Sequence, residues 1–445
     1  MTVASNPAKV LGLEVKERRP PSMRKGIKNA SKRKPIRGGR RRESARKVGL
    51  GEILVNARAS LREVVLSSGL QVLAAMLEED RERLCGPRSQ RSEGRGAYRH
   101  GHDEAPVVLG GRKVRVSKPR VRSVDGQEVE LSTWRQMTEE DPLEERAVEQ
   151  MLVGVSTRGY ARSLEPVAEE MESVGVSRSS VSRRFVARTA REVEVFLGRE
   201  LSGLDFPVVM VDGTELGEHV LVTALGIDST GKKHVLGVRE GSTENEQLCA
   251  ELLRSLVERG LGVERARLFV IDGGKGIRKA IRTVFAGWAL IQRCQVHKMR
   301  NVVEHLPESK RVWVRSELRR AWSSESAEAA KRKLRGLAKQ LDSAHPGAAG
   351  SVREGLEETL TLIELGVRGG LHQTLCSTNP IENLQGLLKQ VAHNVRRWRG
   401  GSMALRWGVT GMMEAERRFR RVKGYRELPQ LLAALETKKA ARKVA

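Results

Sequence analysis

Aromatic residues are scarce: Phe, Tyr and Trp make up 3% of the 445 residues, so stacking on nucleobases cannot be the main mode of binding. Four cysteines (Cys85, Cys249, Cys294 and Cys376) scattered over that length exclude a disulfide framework. No apolar run approaches the ~18–20 residues that span a bilayer, and the N-terminus lacks a signal-peptide core. The chain therefore reads as cytoplasmic, with no membrane partner. Acids are in deficit, 55 Asp+Glu against 81 Lys+Arg, which leaves a net charge of +26. What is present in quantity is apolar residue, 39%, enough to bury a core and to exclude wholesale disorder. About three domains fit the length at roughly 150 residues each. The surplus positive charge suits a polyanion, most simply nucleic acid, and with it a place at the nucleoid.

The charge is unevenly placed. Residues 1–50 carry 16 Lys/Arg and 3 acids and have almost nothing to bury, which predicts a disordered basic arm. Residues 51–200 read as a mainly helical DNA-binding region, interrupted by short strands and turns over 97–131. Near 162–188, a helix Arg162–Glu172, a turn at Ser173–Val176 and a Ser-capped helix Ser177–Arg188 have the helix-turn-helix layout. Arg178, Ser179, Ser182 and Arg183 open that second helix and suit contacts to base edges and phosphates. A helical hairpin with a charged face is the alternative. A second basic stretch, 386–423, has 10 Lys/Arg against 2 acids and includes Arg396, Arg397 and Arg399.

The middle of the chain predicts three strands (Pro207–Val211, Val220–Ile227, His234–Val238), a helix over 243–260, a strand Leu268–Ile271, a second helix, and a fifth strand Trp288–Gln292. That β-β-β-α-β-α-β order is the arrangement of an α/β ribonuclease-H-like core with a mixed five-stranded sheet. Asp212 and Asp272 fall at the carboxyl ends of the first and fourth strands, which that fold sets side by side. Phosphodiester cleavage or transfer needs charge neutralised on the attacking and leaving oxygens. Two Mg2+ (or Mn2+) ions about 3.5–4 Å apart, held by a few carboxylates, meet that need. Residues 303–370 read as a helical insertion. Beyond it, in Ser377-Thr378-Asn379-Pro380-Ile381-Glu382, Asn379 reads as an N-cap, Pro380 as the first helical residue and Glu382 as the reciprocal acid of a capping box. On local sequence, Glu382 is as readily that capping acid as a third metal carboxylate.

Together, Val211-Asp212-Gly213, Ile271-Asp272-Gly273, the run Gln292-Arg293-Cys294-Gln295-Val296-His297-Lys298-Met299-Arg300-Asn301, Ser377–Glu382 and Arg397–Trp407 resemble the Mutator-type transposases of bacterial insertion sequences. The resemblance covers about 140–430, with 60 residues from Asp212 to Asp272 and 110 more to Glu382. It implies that Asp212, Asp272 and Glu382 are the catalytic acids and metal ligands of a DDE-type enzyme. It also places Cys294 and His297 as neighbours of the site, not zinc ligands. Gln385 stands where many members have Asn. Cys294-x-x-His297 could pair with His372 and Cys376, but the 75-residue gap is unlike a compact zinc site. Asp272–Gly276 lacks the spacing of an ATP-binding loop. Neither zinc nor ATP is expected.

The expectation is thus a DNA transposase with Mg2+-dependent strand cleavage at element ends, followed by transesterification into target DNA. Its partners would be terminal inverted repeats, target DNA and further copies of itself. The domain map runs 1–50 arm, 51–200 DNA-binding region, 205–302 first part of the catalytic domain, 303–370 insertion, 371–430 glutamate helix and basic helices, and 431–445 tail. A structure-specific nuclease on the same fold and a catalytically silent, transposase-derived DNA-binding protein are the competing readings.

Overall fold

In the computed structural model, residues 50–444 are described apart from 89, 91–95, 110, 140–141, 165–172 and 175. The chain divides into units 1–55 and 56–445; of the first, only the opening residues of one helix are described. The expected basic arm thus lies, but for Leu50, outside the described residues.

A 36-residue helix, Leu50–Cys85, precedes an antiparallel hairpin of Ala97–Leu109 and Arg112–Ser123. Gly111 turns that hairpin at φ +80, a conformation that favours glycine. Leu73 and Leu77 pack with Val107, Val121, Leu131 and Trp134 to form a small core. Two-residue strands at Glu128–Val129 and Ser173–Val174 both pair with Arg112–Ser123, completing a four-stranded sheet. The region is therefore more strand-rich than expected, because the alternating valines of 107–121 bury one face against the long helix. Ser173–Val174, read from sequence as the turn of a helix-turn-helix, instead bonds to Lys113–Val114. Most of the first expected helix falls on residues that are not described. The second is present as Arg178–Leu197, capped by Ser177, whose side chain accepts from the Ser180 N–H. Phe185 on this helix meets Trp407 at 4.7 Å between ring centroids.

Residues 208–304 have the expected element order. We number their elements β1 (Val208–Leu216), β2 (His219–Ile227), β3 (Lys233–Gly241), α1 (Glu246–Glu258), β4 (Arg267–Ile271), α2 (Lys275–Phe285), β5 (Ala289–Arg293) and α3 (Gln295–Glu304). The sheet runs β3-β2-β1-β4-β5, with β1–β3 antiparallel and β4 and β5 parallel to β1. Side chains alternate across it. Val209 and Val211 face Leu252, Leu253 and Leu256 of α1 and Ile277 and Ile281 of α2, while Val208 and Met210 face the opposite layer. That layer comes from the end of the chain, helix α4 (Asn379–Val391) with Ile381, Leu384 and Leu388, and helix α5 (Gly401–Arg417) with Val409 and Met412.

Between α3 and α4, helices Glu308–Trp322, Ala327–Leu341 and Pro346–Arg353 close on a core of their own through Leu318, Trp322, Leu334 and Val352. The final stretch, expected as a tail, is a helix over Leu428–Val444. Leu428, Leu431 and Leu435 recur at helical spacing and are buried, which joins it to the main core. Among the described residues, no helix is long and apolar enough to cross a membrane.

Candidate active site

The register of two parallel strands sets the geometry. Val208, Val209 and Met210 of β1 pair with Leu268, Phe269 and Val270 of β4. Asp212 and Asp272 each lie two residues past the last pair, so they reach the same level on strands about 4.8 Å apart. By strand alternation Asp212 shares the face of Met210, the face covered by α4. Gln385 of α4 donates to the Gly213 carbonyl at 3.3 Å, fixing that helix over this end of β1. Asp272 closes its own turn, with one carboxylate oxygen accepting from the Gly274 N–H at 2.7 Å.

A third carboxylate, Glu244, joins these two. It precedes α1, whose cap is the Asn245 side chain accepting from Leu248 N–H at 2.9 Å. A methyl at Gly213 would lie 2.1 Å from Glu244 Oε2, and one at Gly274 would lie 3.1 Å from Oε1. The carboxylate thus fills space that two glycines leave open. The sequence reading missed Glu244, since an acid just before a helix is usually a solvated first-turn residue and no motif marks it. Its only signal was position, between the third strand and the first helix of the sheet. Burial raises the Asp212 carboxyl to about 7, with the Asp272 and Glu244 charges adding to it, against hydrogen bonding from Gln385 and the charge of His297. Desolvation, then the Asp272 charge, likewise raises Glu244, although the residue as a whole keeps an exposed surface.

Glu382 arrives with a different set of neighbours. The helix begins at Asn379, with Thr378 in the cap position and no side-chain cap bond. The expected capping box is therefore not formed. Instead Thr378 Oγ1 lies 2.5 Å from Glu382 Oε1, 3.3 Å from His297 Nδ1 and 3.4 Å from Cys294 Sγ. A hydroxyl has one proton, and an ionised carboxylate is the stronger acceptor, so Thr378 donates to Glu382 and can accept from His297. Cys294 and His297 come from the start of α3, where the Cys294 N–H donates to Ile271 O at 2.7 Å, next to Asp272. Hydrogen bonding to Cys294 raises the His297 pKa despite burial, and the Glu382 and Asp272 charges contribute.

Cys294, His297 and Glu382 have ligand atoms within 4.8 Å of one another, the only such group among the described residues. The structure thus adds Glu382 to the Cys-x-x-His pair, not His372 or Cys376. The Thr378 hydroxyl lies within 3.4 Å of a ligand atom of each of the three.

Other residues of the Gln292–Asn301 run fasten the insertion. Gln292 Oε1 accepts from Leu362 N–H at 3.0 Å, Gln295 donates to Thr359 O at 2.9 Å, and Arg293 donates to Glu354 O at 3.1 Å. Lys298, 2% exposed, also bonds Glu354 O. Arg178, Ser179, Ser182 and Arg183 are exposed, opposite buried Val181 and Phe185. They lie on the helix Arg178–Leu197. Arg396, Arg397 and Arg399 are exposed around Trp398, which packs on the β1–β2 turn. A methyl at Gly217 (φ +65) would lie 2.4 Å from Trp398 Cδ1, so the basic loop is pinned to the strand that carries Asp212.

The donors of Asp212, Asp272 and Glu244 are all hard oxygen, which matches Mg2+ or Mn2+ better than zinc. Mutually repelling carboxylates at Asp212, Asp272 and Glu244 form a charge cluster that a divalent cation would neutralise.

Residues 55–421 match the family described as transposase, Mutator family. The chain is 28% identical over 359 residues to the transposase for insertion sequence element ISRM5 of Rhizobium meliloti (strain 1021), covering 78% of this chain and 85% of that one. It is 27% identical over 238 residues to the transposase for IS6120 of Mycolicibacterium smegmatis, covering 52% and 71%. Against the transposase for IS256 in transposon Tn4001 of Staphylococcus aureus, it is 26% identical over 328 residues, covering 70% and 80%. With its family profile matched from the N-terminal helix to beyond α5, the chain belongs to the Mutator family of transposases.

Proposed function

We propose that this chain cuts DNA strands at the ends of an insertion sequence and joins them to target DNA, using Asp212, Asp272 and Glu382 on a ribonuclease-H-like core. The observation that carries the reading is the level placement of Asp212 and Asp272 on adjacent parallel strands, under the helix that bears Glu382. These carboxylates would hold two Mg2+ or Mn2+ ions, which when bound supply neutralisation of charge on the attacking and leaving oxygens.

The protein's own groups do the positioning. Thr378 holds the Glu382 carboxylate, Gln385 ties its helix to β1, and Gly213 and Gly274 leave room for Glu244. His297, with its raised pKa and its place beside Glu382, can hold a proton near a phosphate oxygen. The exposed arginines at 178, 183, 396, 397 and 399 would attract the DNA backbone. Pairing two ends calls for a homo-oligomer on DNA.

A strand-transfer assay tests the reading, with paired element ends, a target plasmid and Mg2+. Wild type should both nick and join. Glu382→Gln should do neither while melting and binding DNA as wild type does. Nicking without joining would favour the nuclease, and full activity of Glu382→Gln would remove Glu382 from the site.

A further inference from the structure

One feature of the α4 face lies outside the acid cluster. A groove of about 260 Å³ opens beside the N-terminus of this 13-residue helix. Among the described residues lining it, Lys233, Arg421 and Lys423 are cationic and none is acidic. Asn379 and Asn383, one helical turn apart, supply amides along one wall. Ser377 lies at the floor, 2% exposed, and its hydroxyl has no hydrogen-bond partner. A buried hydroxyl left unbonded is destabilising, so a ligand able to accept its proton would be favoured there. The positive end of the helix dipole adds to the attraction for an anion. Burial also lowers the Lys233 pKa, a cost that an anion beside it would offset.

We propose that this groove seats a backbone phosphate of the DNA strand, about a quarter of a turn round α4 from Glu382. This deepens the functional reading above and rests on it. A quarter turn round a helix about 10 Å across spans about 7 Å, and one strand advances about 3.4 Å per base, so the seated phosphate lies about two nucleotides from the reacting one. The groove sets the path of the strand past the acids, using three cations for charge and Ser377 for a directed bond.

The test measures affinity of the full-length protein for a duplex of arbitrary sequence by fluorescence anisotropy across a salt series. Arg421→Ala/Lys423→Ala should weaken binding about tenfold and flatten the log–log salt slope by about one to two units, since each phosphate contact contributes about 0.9. Arg332→Ala/Lys339→Ala removes two exposed cations from the insertion helix Ala327–Leu341 and should change the slope by less than half as much. Ser377→Ala keeps every charge, so it should weaken binding about threefold or more at an unchanged slope. Equal slopes for the two double variants would overturn the groove, as would wild-type affinity of Ser377→Ala with its fold intact. Absence of any salt-dependent DNA binding by the wild type would instead overturn the functional reading itself.

Discussion

Asp212→Asn should stabilise the metal-free protein while destroying its activity. Asp212 is 9% exposed, and its carboxyl is raised from 3.8 to about 7, first by burial and then by Asp272 and Glu244. Between those two values the folded state binds more protons than the unfolded chain, so stability falls as pH rises through the window. Above about pH 7 the whole penalty is present; below about 3.8 it vanishes. The difference of about 3 units corresponds to roughly 4 kcal/mol at 1.36 kcal/mol per unit. Asparagine stays neutral and escapes that penalty. At about 2.1 cal/mol/K per residue, the gain for the whole chain is at most roughly 4 °C in Tm, or about twice that if the catalytic domain melts alone.

The assay is thermal unfolding of wild type and Asp212→Asn in chelator at pH 8 and pH 5, then at pH 8 with excess Ca2+. The variant should melt higher at pH 8, and the gap should shrink at pH 5. Ca2+ should raise wild type and barely move the variant, since a ligand specific to the folded state stabilises in proportion to its affinity. A variant that melts below wild type at pH 8, or a gap unchanged by pH, would refute the account of Asp212 as a strained member of a like-charge cluster.

Removing only the Thr378 hydroxyl by Thr378→Val should raise the Mg2+ concentration for half-maximal cleavage about tenfold, the lower range for loss of a group that orients a metal ligand. Thr378→Ser should stay near wild type, and equal impairment of both would argue for packing alone. Gly213→Ala should mimic Glu244→Gln in its Mg2+ requirement, because the new methyl must push the Glu244 carboxylate aside; divergent titrations would separate that residue from the site. Asn379→Ala should lower stability by less than the ~0.5–2 kcal/mol of a lost cap, because Asn379 is already helical, and urea denaturation reads the difference. Metal analysis of purified protein should find no stoichiometric zinc, since the Thr378 hydroxyl stands among the Cys294, His297 and Glu382 ligand atoms.

The sequence alone determined the order of strands and helices over residues 208–304, because each element carries its own periodicity. Val208 to Val211 and Leu268 to Ile271 read as buried strands, and the leucines of α1 recur at helical spacing. Asp212 and Asp272 were legible for the same reason, as polar residues that end apolar runs. What depends on contacts between distant segments was not legible. The Ser173–Val174 strand exists only because Arg112–Ser123 offers it an edge, so local sequence read it as a turn. Leu428, Leu431 and Leu435 are a plain amphipathic pattern until a core is there to receive them.

The neighbours of Glu382 also turned on tertiary structure. Thr378, Asn379 and Glu382 satisfy the spacing of a capping box, yet α3 delivers Cys294 and His297 against Thr378 and redirects its hydroxyl to the carboxylate. Glu244 was invisible for the opposite reason. No local pattern marks it, and only the crossing of α1 over Gly213 and Gly274 brings its carboxylate to Asp212 and Asp272. Periodicity is a property of neighbours along the chain. A charge cluster belongs to neighbours in space, and only the folded sheet brings Asp212, Asp272 and Glu244 together.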